Sequence, residues 1–254
     1  MAEESPFEAH TPPEGHQETT RELQRQERRD LERQASRFLK RLQLPGRLLD
    51  EFQRLKNYLI YERRKGESCN VLAVTSAWPG EGVSFVAFHT AVSLAKGLEN
   101  SVLLVDANFR KPSLHRVFNH DNRVGLSDVL SGSVDIHAAI RPSYMPYLAF
   151  LPTGGPLADP APYFRSEKFE AFIKIARSRF DYVILDTPPV SRFADCLVMG
   201  PRVDNIVLVV RAHKTKKQIV RHVKEQIIKH GGRIMGVVLN RRQFFIPEFI
   251  YKRL

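Results

Sequence analysis

Five short stretches of almost unbroken valine, isoleucine and leucine recur along the chain: Val71–Thr75, Ser101–Asp106, Asp181–Asp186, Asp204–Val210 and Ile234–Leu239. A strand with one wet face alternates apolar and polar side chains. These runs do not alternate, which predicts parallel strands covered by helices on both faces. Elsewhere the apolar positions return every three or four residues. Leu48, Phe52, Leu55 and Leu59 mark a helix over Leu48–Arg63 that docks on the sheet, and Phe85–Leu98 forms another, ending near Gly97. Phe169, Phe172, Ile173 and Ala176 share one face of a third helix, capped by Ser166. Thr215 is expected to cap a basic amphipathic helix that reaches His230 and stops at Gly231-Gly232. The alternation of strands and helices predicts an α/β, doubly wound, mainly parallel sheet.

Ligands of such sheets bind at the carboxyl ends of the strands. The stretch after the first strand, Ser76-Ala-Trp-Pro-Gly-Glu-Gly-Val-Ser84, lies at such an end, as do Asp106, Asp186 and Arg211. A buried strand, a Gly-rich turn and a helix are the parts of a phosphate-cradling loop. Backbone N–H groups from Gly80 to Ser84 can converge on one anion, and the helix N-terminus adds positive potential. Gly80 and Gly82 remove the Cβ atoms that would hold a phosphate off. Pro79, Gly80, Glu81, Gly82, Val83, Ser84 and Phe85 are therefore the candidate nucleotide-binding residues of a P-loop NTPase-like fold. Ser84 stands where a P-loop hydroxyl holds magnesium, and Asp106 and Asp186 are the carboxylates that could join it. Position 83, where a P-loop carries its lysine, is valine. Anion binding and a purely structural loop both fit this pattern.

The flanking segments differ in composition. Residues 1–18 are polar with Pro12-Pro13 and are expected to be disordered. Residues 19–47 carry alternating charge with sparse apolar positions, as in an exposed helical arm, before Pro45-Gly46 breaks the pattern. The domain proper is expected over 48–242, followed by a Phe-rich tail, 243–254. That tail either folds onto the body or docks into a neighbouring subunit or membrane partner. The net charge of +11 favours an anionic partner. No zinc-finger spacing, RNA-binding aromatic motif or helix-turn-helix accompanies it, so nucleic acid is not an expected partner. No apolar run approaches a membrane span. Cys69 and Cys196 form no ligand motif, and His89 and His115 read as packing or surface residues. Arg110, Lys111 and Arg211 are basic residues near the expected mouth. Trp78 is expected to be exposed, covering the turn, stacking on a base or meeting a partner.

Three segments together resemble one family. Ser76–Ser84, Leu103-Leu-Val-Asp-Ala-Asn-Phe-Arg-Lys-Pro112 and Val183-Ile-Leu-Asp-Thr-Pro-Pro189 are similar to the three motifs of the cytoplasmic bacterial tyrosine kinases (BY-kinases) of capsule and exopolysaccharide systems. Gly125–Gly132, Leu151–Gly154 and Gly236–Arg241 are similar to its connecting segments. The resemblance implies ATP/ADP and magnesium as cofactors, magnesium on Ser84, Asp106 and Asp186, and catalysis by those aspartates. A resemblance to related P-loop ATPases implies that Asn240 meets the adenine edge, with a C-cap or turn role as an equal alternative. The BY-kinase resemblance also implies a C-terminal tyrosine as phosphoacceptor, a membrane polysaccharide co-polymerase as partner, self-association, and a place at the inner membrane face.

The chain departs from that pattern in four places. Val83 replaces the loop lysine, and Asn108 replaces the second aspartate of Asp-x-Asp. Tyr251 is the sole tyrosine of the tail, among Phe244, Phe245 and Phe249. The ring-forming Glu-x-x-Arg-x-x-Arg reads Glu51, Arg54, Asn57. The expectation is a catalytically impaired, kinase-like scaffold or regulator of polysaccharide synthesis and export. An active tyrosine autokinase using Tyr251 and a partitioning-type P-loop ATPase are the alternatives.

Overall fold

The protein's structure, a computed structural model, describes residues 29, 33, 36, 38, 40, 42–65, 70–96 and 100–242. Residues 1–18, most of the charged arm, Cys69 and the tail with Tyr251 lie outside these. The chain divides into two compact units, Met1–Arg41 and Leu42–Leu254. In the first, the described residues are helical.

The second unit is built on one seven-stranded sheet. In chain order its strands are β1 (Val71–Ser76), β2 (Val102–Asp106), β3 (Arg141–Pro142), β4 (Leu148–Leu151), β5 (Tyr182–Asp186), β6 (Asn205–Arg211) and β7 (Ile234–Asn240). They lie in the order β3-β4-β2-β5-β1-β6-β7, all parallel except β3, which pairs antiparallel with β4. From β1 the chain moves out to β2 and β4, returns through β5, and crosses to β6 and β7. The site therefore falls where the winding reverses, around the carboxyl end of β1. β1, β2 and β5 are buried along their whole length, which explains their unbroken apolar sequences.

Helix α1 (Gly46–Arg64) precedes the sheet, and α2 (Val83–Ala95) follows the Gly-rich loop. Phe52 and Leu59 of α1 are buried, and the Phe52 carbonyl accepts a hydrogen bond from Ser93 of α2. Phe52, Phe85 and His89 form one ring cluster, with Phe85 and His89 4.4 Å apart. His89 is thus a packing residue. Burial lowers its pKa to about 4, so it is neutral at pH 7. Arg63, in the last turn of α1, donates to Asp181 at 2.9 Å and fixes the helix to the amino end of β5.

Three short helices, α3 (Leu114–Phe118), α4 (Leu126–Ser131) and α5 (Ile136–Ala139), separate β2 from β3, and α6 (Ala161–Arg165) leads into α7 (Glu167–Arg179). Ser166 caps α7 as its sequence predicts, accepting from the Phe169 N–H, and the four apolar residues of its stripe are buried. Helix α8 (Asp195–Met199) follows β5, and α9 (Lys217–Lys229) precedes β7.

Three expectations need correction. The second helix spans Val83–Ala95 rather than Phe85–Leu98, because the Gly82 turn already delivers helical backbone at Val83. Thr215 does not cap α9: the cap position is Lys216, without a side-chain bond, and the Thr215 hydroxyl is engaged elsewhere. Finally, β7 is not covered on both faces. It is the sheet's edge, and Val237 and Leu239 are exposed.

Candidate nucleotide and cation site

The loop between β1 and α2 takes its shape from two glycines and one glutamate. Gly80 and Gly82 have φ of 80° and 97°, a region that L side chains resist. A Cβ on Gly82 would sit 2.1 Å from Asn240 Nδ2. Glu81 is turned inward and is only 2% exposed. Its Oε2 accepts from the Trp78 N–H at 2.8 Å. Its Oε1 accepts from the Arg211 N–H at 3.1 Å and from the Thr215 hydroxyl. The Glu81 carbonyl accepts from Asn240 Nδ2 at 2.7 Å. One residue thus closes the turn on itself and ties it to the carboxyl ends of β6 and β7. No side chain bonds to the α2 N-terminus, whose cap is Gly82. Its first turn presents the N–H groups that any helix leaves without an internal partner.

Beneath the loop lie two acids in register on adjacent strands, Asp106 of β2 and Asp186 of β5, both fully buried. They are treated differently. Asp106 accepts from the backbone N–H groups of Asn108, Ser113 and Leu114. Desolvation still pushes it up to about 6, because those bonds offset only part of the cost. Neither oxygen of Asp186 has a well-formed hydrogen bond. Burial, then repulsion from Asp106, raises its pKa well above the ordinary carboxylate value; the nearby Ser84 hydroxyl lowers it somewhat. Ser84 Oγ in turn accepts from Ser113 Oγ at 3.4 Å. An unpartnered buried carboxylate beside a second carboxylate and a hydroxyl is a hard oxygen donor set that fits magnesium.

The other expected site residues are placed as follows. Pro79 and Gly80 are exposed on the rim, with Trp78, while Val83 and Ser84 are half-buried. The Phe85 ring packs on Phe52 and His89, leaving only its backbone to the loop. Asn240 spends its amide on Glu81, and its Oδ1 accepts from the Arg241 N–H.

Comparison with known proteins decides the family. The family model described as "ParA: NUBPL iron-transfer P-loop NTPase" matches residues 67–252. The tyrosine-protein kinase CpsD of Streptococcus agalactiae is 32% identical over 177 residues, 69% of this chain and 77% of that protein. The tyrosine-protein kinase YwqD of Bacillus subtilis is 34% identical over 170 residues, covering 67% and 71%. Among solved structures, the chimerical protein CapA2B2 superposes with a TM-score of 0.72 at 29% identity, over 77% of this chain and 85% of that one. The chain belongs to the ParA-type P-loop NTPases and, among them, to the bacterial tyrosine kinases of capsule synthesis.

Within this BY-kinase frame the departures acquire positions. Asn108 Oδ1 accepts from the Lys111 N–H in a local turn. Arg110 lies 3.6 Å from Asp195 and 4.8 Å over the Phe193 ring. Arg211 gives the loop its backbone N–H. Cys196 is a buried thiol pushed up to about 11, inert at pH 7.

Two neighbours of the site escape sequence reasoning. Arg192 lies over the exposed Trp78 ring at 5.9 Å. Thr215 reaches Glu81 across 134 residues of chain. An Asp-Thr-Pro-Pro turn hints at neither, and a threonine ahead of a helix reads as a cap.

Two outcomes are expected. Glu81→Ala strands three donors and should cost about 1–3 kcal/mol in thermal or denaturant unfolding, with Glu81→Gln intermediate. The second concerns the acid pair. Asp106 binds a proton more tightly in the folded chain, up to about 6, than an exposed carboxylate does, and Asp186 is shifted the same way. Their contribution to stability is therefore present at low pH and lost as pH rises through that interval. Asp186→Asn should raise the melting temperature of magnesium-free protein above neutral pH, with the gain vanishing toward pH 4.

Proposed function

We propose that this protein is a catalytically impaired BY-kinase-like scaffold of capsule or exopolysaccharide synthesis, which binds nucleotide weakly and transfers phosphate poorly or not at all. The observation that carries this reading is the loop itself. Its glycines, its Glu81 anchor and the Ser84–Asp106–Asp186 donor set are all in place, while position 83 offers an isopropyl group instead of an ammonium.

A backbone cup binds phosphate through N–H dipoles. Transfer of a terminal phosphoryl group also needs charge aimed at the oxygens that gain it in the transition state. The lysine supplies that charge in a P-loop. Arg110 is paired with Asp195, which draws that guanidinium away from the role. Magnesium, when bound with nucleotide, would neutralise phosphate charge. Ser84, Asp106 and Asp186 would hold it, and its arrival would relieve the unpartnered Asp186. The tail's single tyrosine, Tyr251, supports the same reading, since one acceptor replaces a cluster.

As a partner we infer a membrane polysaccharide co-polymerase, met through its cytoplasmic segment at the inner membrane face, together with self-association. The family membership and the net charge of +11, which suits an anionic surface, support this. Among the described residues no helix is long and apolar enough to cross a membrane.

Calorimetry with ATP and ADP, with and without magnesium, is the test. Wild type should bind both weakly. Val83→Lys should tighten binding by about 1.5–3 kcal/mol, the range for a hydrogen bond to a charged group. Wild-type transfer of labelled phosphate to Tyr251, lost in Tyr251→Phe, would instead make the protein an active autokinase.

A further inference from the structure

Positive charge gathers on α9 and its flanks. Between Lys214 and Arg233 the chain carries seven lysines and arginines against one acid, Glu225, more than half of the net charge of +11. The helix is two-faced. Val223 and Ile227 join the buried core with Ile206 and Leu208 of β6. On the other side Lys217, Arg221, Lys224 and Ile228 recur at spacings of four, three and four residues, so they form one row along the helix. All four are exposed, as is Lys229 beside them, and Ile228 is 54% exposed. Among the described residues these four cations form no ion pair, and neither does Glu225.

The row selects among anionic partners. Nucleic-acid phosphates would meet the cations and leave Ile228 in water. An acidic peptide would gain most from a groove, whereas this face is the convex side of a helix about 20 Å long. A lipid surface takes both parts of the row: lysine and arginine heads meet the anionic phosphates, and the isoleucine enters the boundary with the acyl chains. The buried opposite face holds α9 to the sheet, so the row is presented without a folding step.

We propose that α9 lies on an anionic lipid surface, with Lys217, Arg221, Lys224 and Lys229 at the headgroups and Ile228 in the interface. This contact rests on the reading of the protein at the inner membrane face and deepens it, because the partner here is the lipid itself.

The test is co-sedimentation of the full chain with vesicles of phosphatidylcholine alone, or of phosphatidylcholine and phosphatidylglycerol in equal parts. No co-polymerase is present, so a failure here leaves that partnership standing. Wild type should bind only the mixed vesicles, and less so as salt is added. A basic residue near such a surface contributes about fivefold in partitioning, so K217Q/R221Q/K224Q/K229Q should weaken binding at least about twentyfold. The control R54Q/R123Q/R165Q/K174Q removes four exposed charges from elsewhere in the chain and should change binding less than about threefold. Circular dichroism melts report that both variants fold. In a Trp78→Phe background, Ile228→Trp should shift its emission to the blue on mixed vesicles. No binding of wild type to the mixed vesicles, equal losses in the two quadruple variants, or unshifted emission from vesicle-bound protein would overturn the proposal. So would tighter binding to duplex DNA than to vesicles, lost in the same α9 variant, which assigns the row to nucleic acid.

Discussion

The Glu81 carboxylate is where three separate pieces of backbone meet. It holds the Trp78 N–H of its own turn, the Arg211 N–H at the end of β6 and the Thr215 hydroxyl beyond it, and its carbonyl takes the Asn240 amide from β7. A carboxylate this deeply buried would be costly without donors. Given them, it welds the loop to the sheet. The left-handed turns at Gly80 and Gly82 then follow, and with them the approach of Asn240 Nδ2 to Gly82, where a Cβ would push the Asn240 side chain aside. None of these bonds involves position 83. The cup's shape is set by anchors that have nothing to do with the lysine, and this is why it can persist with valine there.

The floor of the site works on the opposite principle. Asp106 and Asp186 sit in register, buried, with Asp186 unpartnered. Asp106 anchors the turn after β2 through three backbone N–H groups, but the two acids repel each other when both are ionised. A buried carboxyl group without a well-formed hydrogen bond is destabilising, and such groups concentrate where a ligand completes them. The chain therefore combines a self-sufficient loop with a floor whose acids, on the proposed reading, a cation would complete. On the same reading, valine at position 83 removes charge between the two without disturbing either.

Much of this was legible in the residues. Strands buried on both faces carry no alternation, so β1, β2, β5 and β6 announce themselves as apolar runs ending in Ser76, Asp106, Asp186 and Arg211. Ser84 and the two acids are readable because a parallel sheet gathers strand ends. The same signal misleads at β7, whose Ile-Met-Gly-Val-Val-Leu reads like a central strand although it lies at the edge. α3, α4 and α5 are each too short to show a helical period, and β4 has only four residues. The role of Glu81 is illegible for a different reason: Arg211 and Thr215, two of its three carboxylate partners, are 130 or more residues away, and no local spacing encodes them.

The account stands or falls on whether the cup is rigid before any ligand arrives. Backbone order parameters of residues 79–84, measured by NMR on the nucleotide-free protein, read this directly. Wild type should give values near 0.85, like the strand before it, and Glu81→Ala should drop them below about 0.6. A wild-type loop already below that level would contradict the account, because the anchors described here would then not be holding the cup.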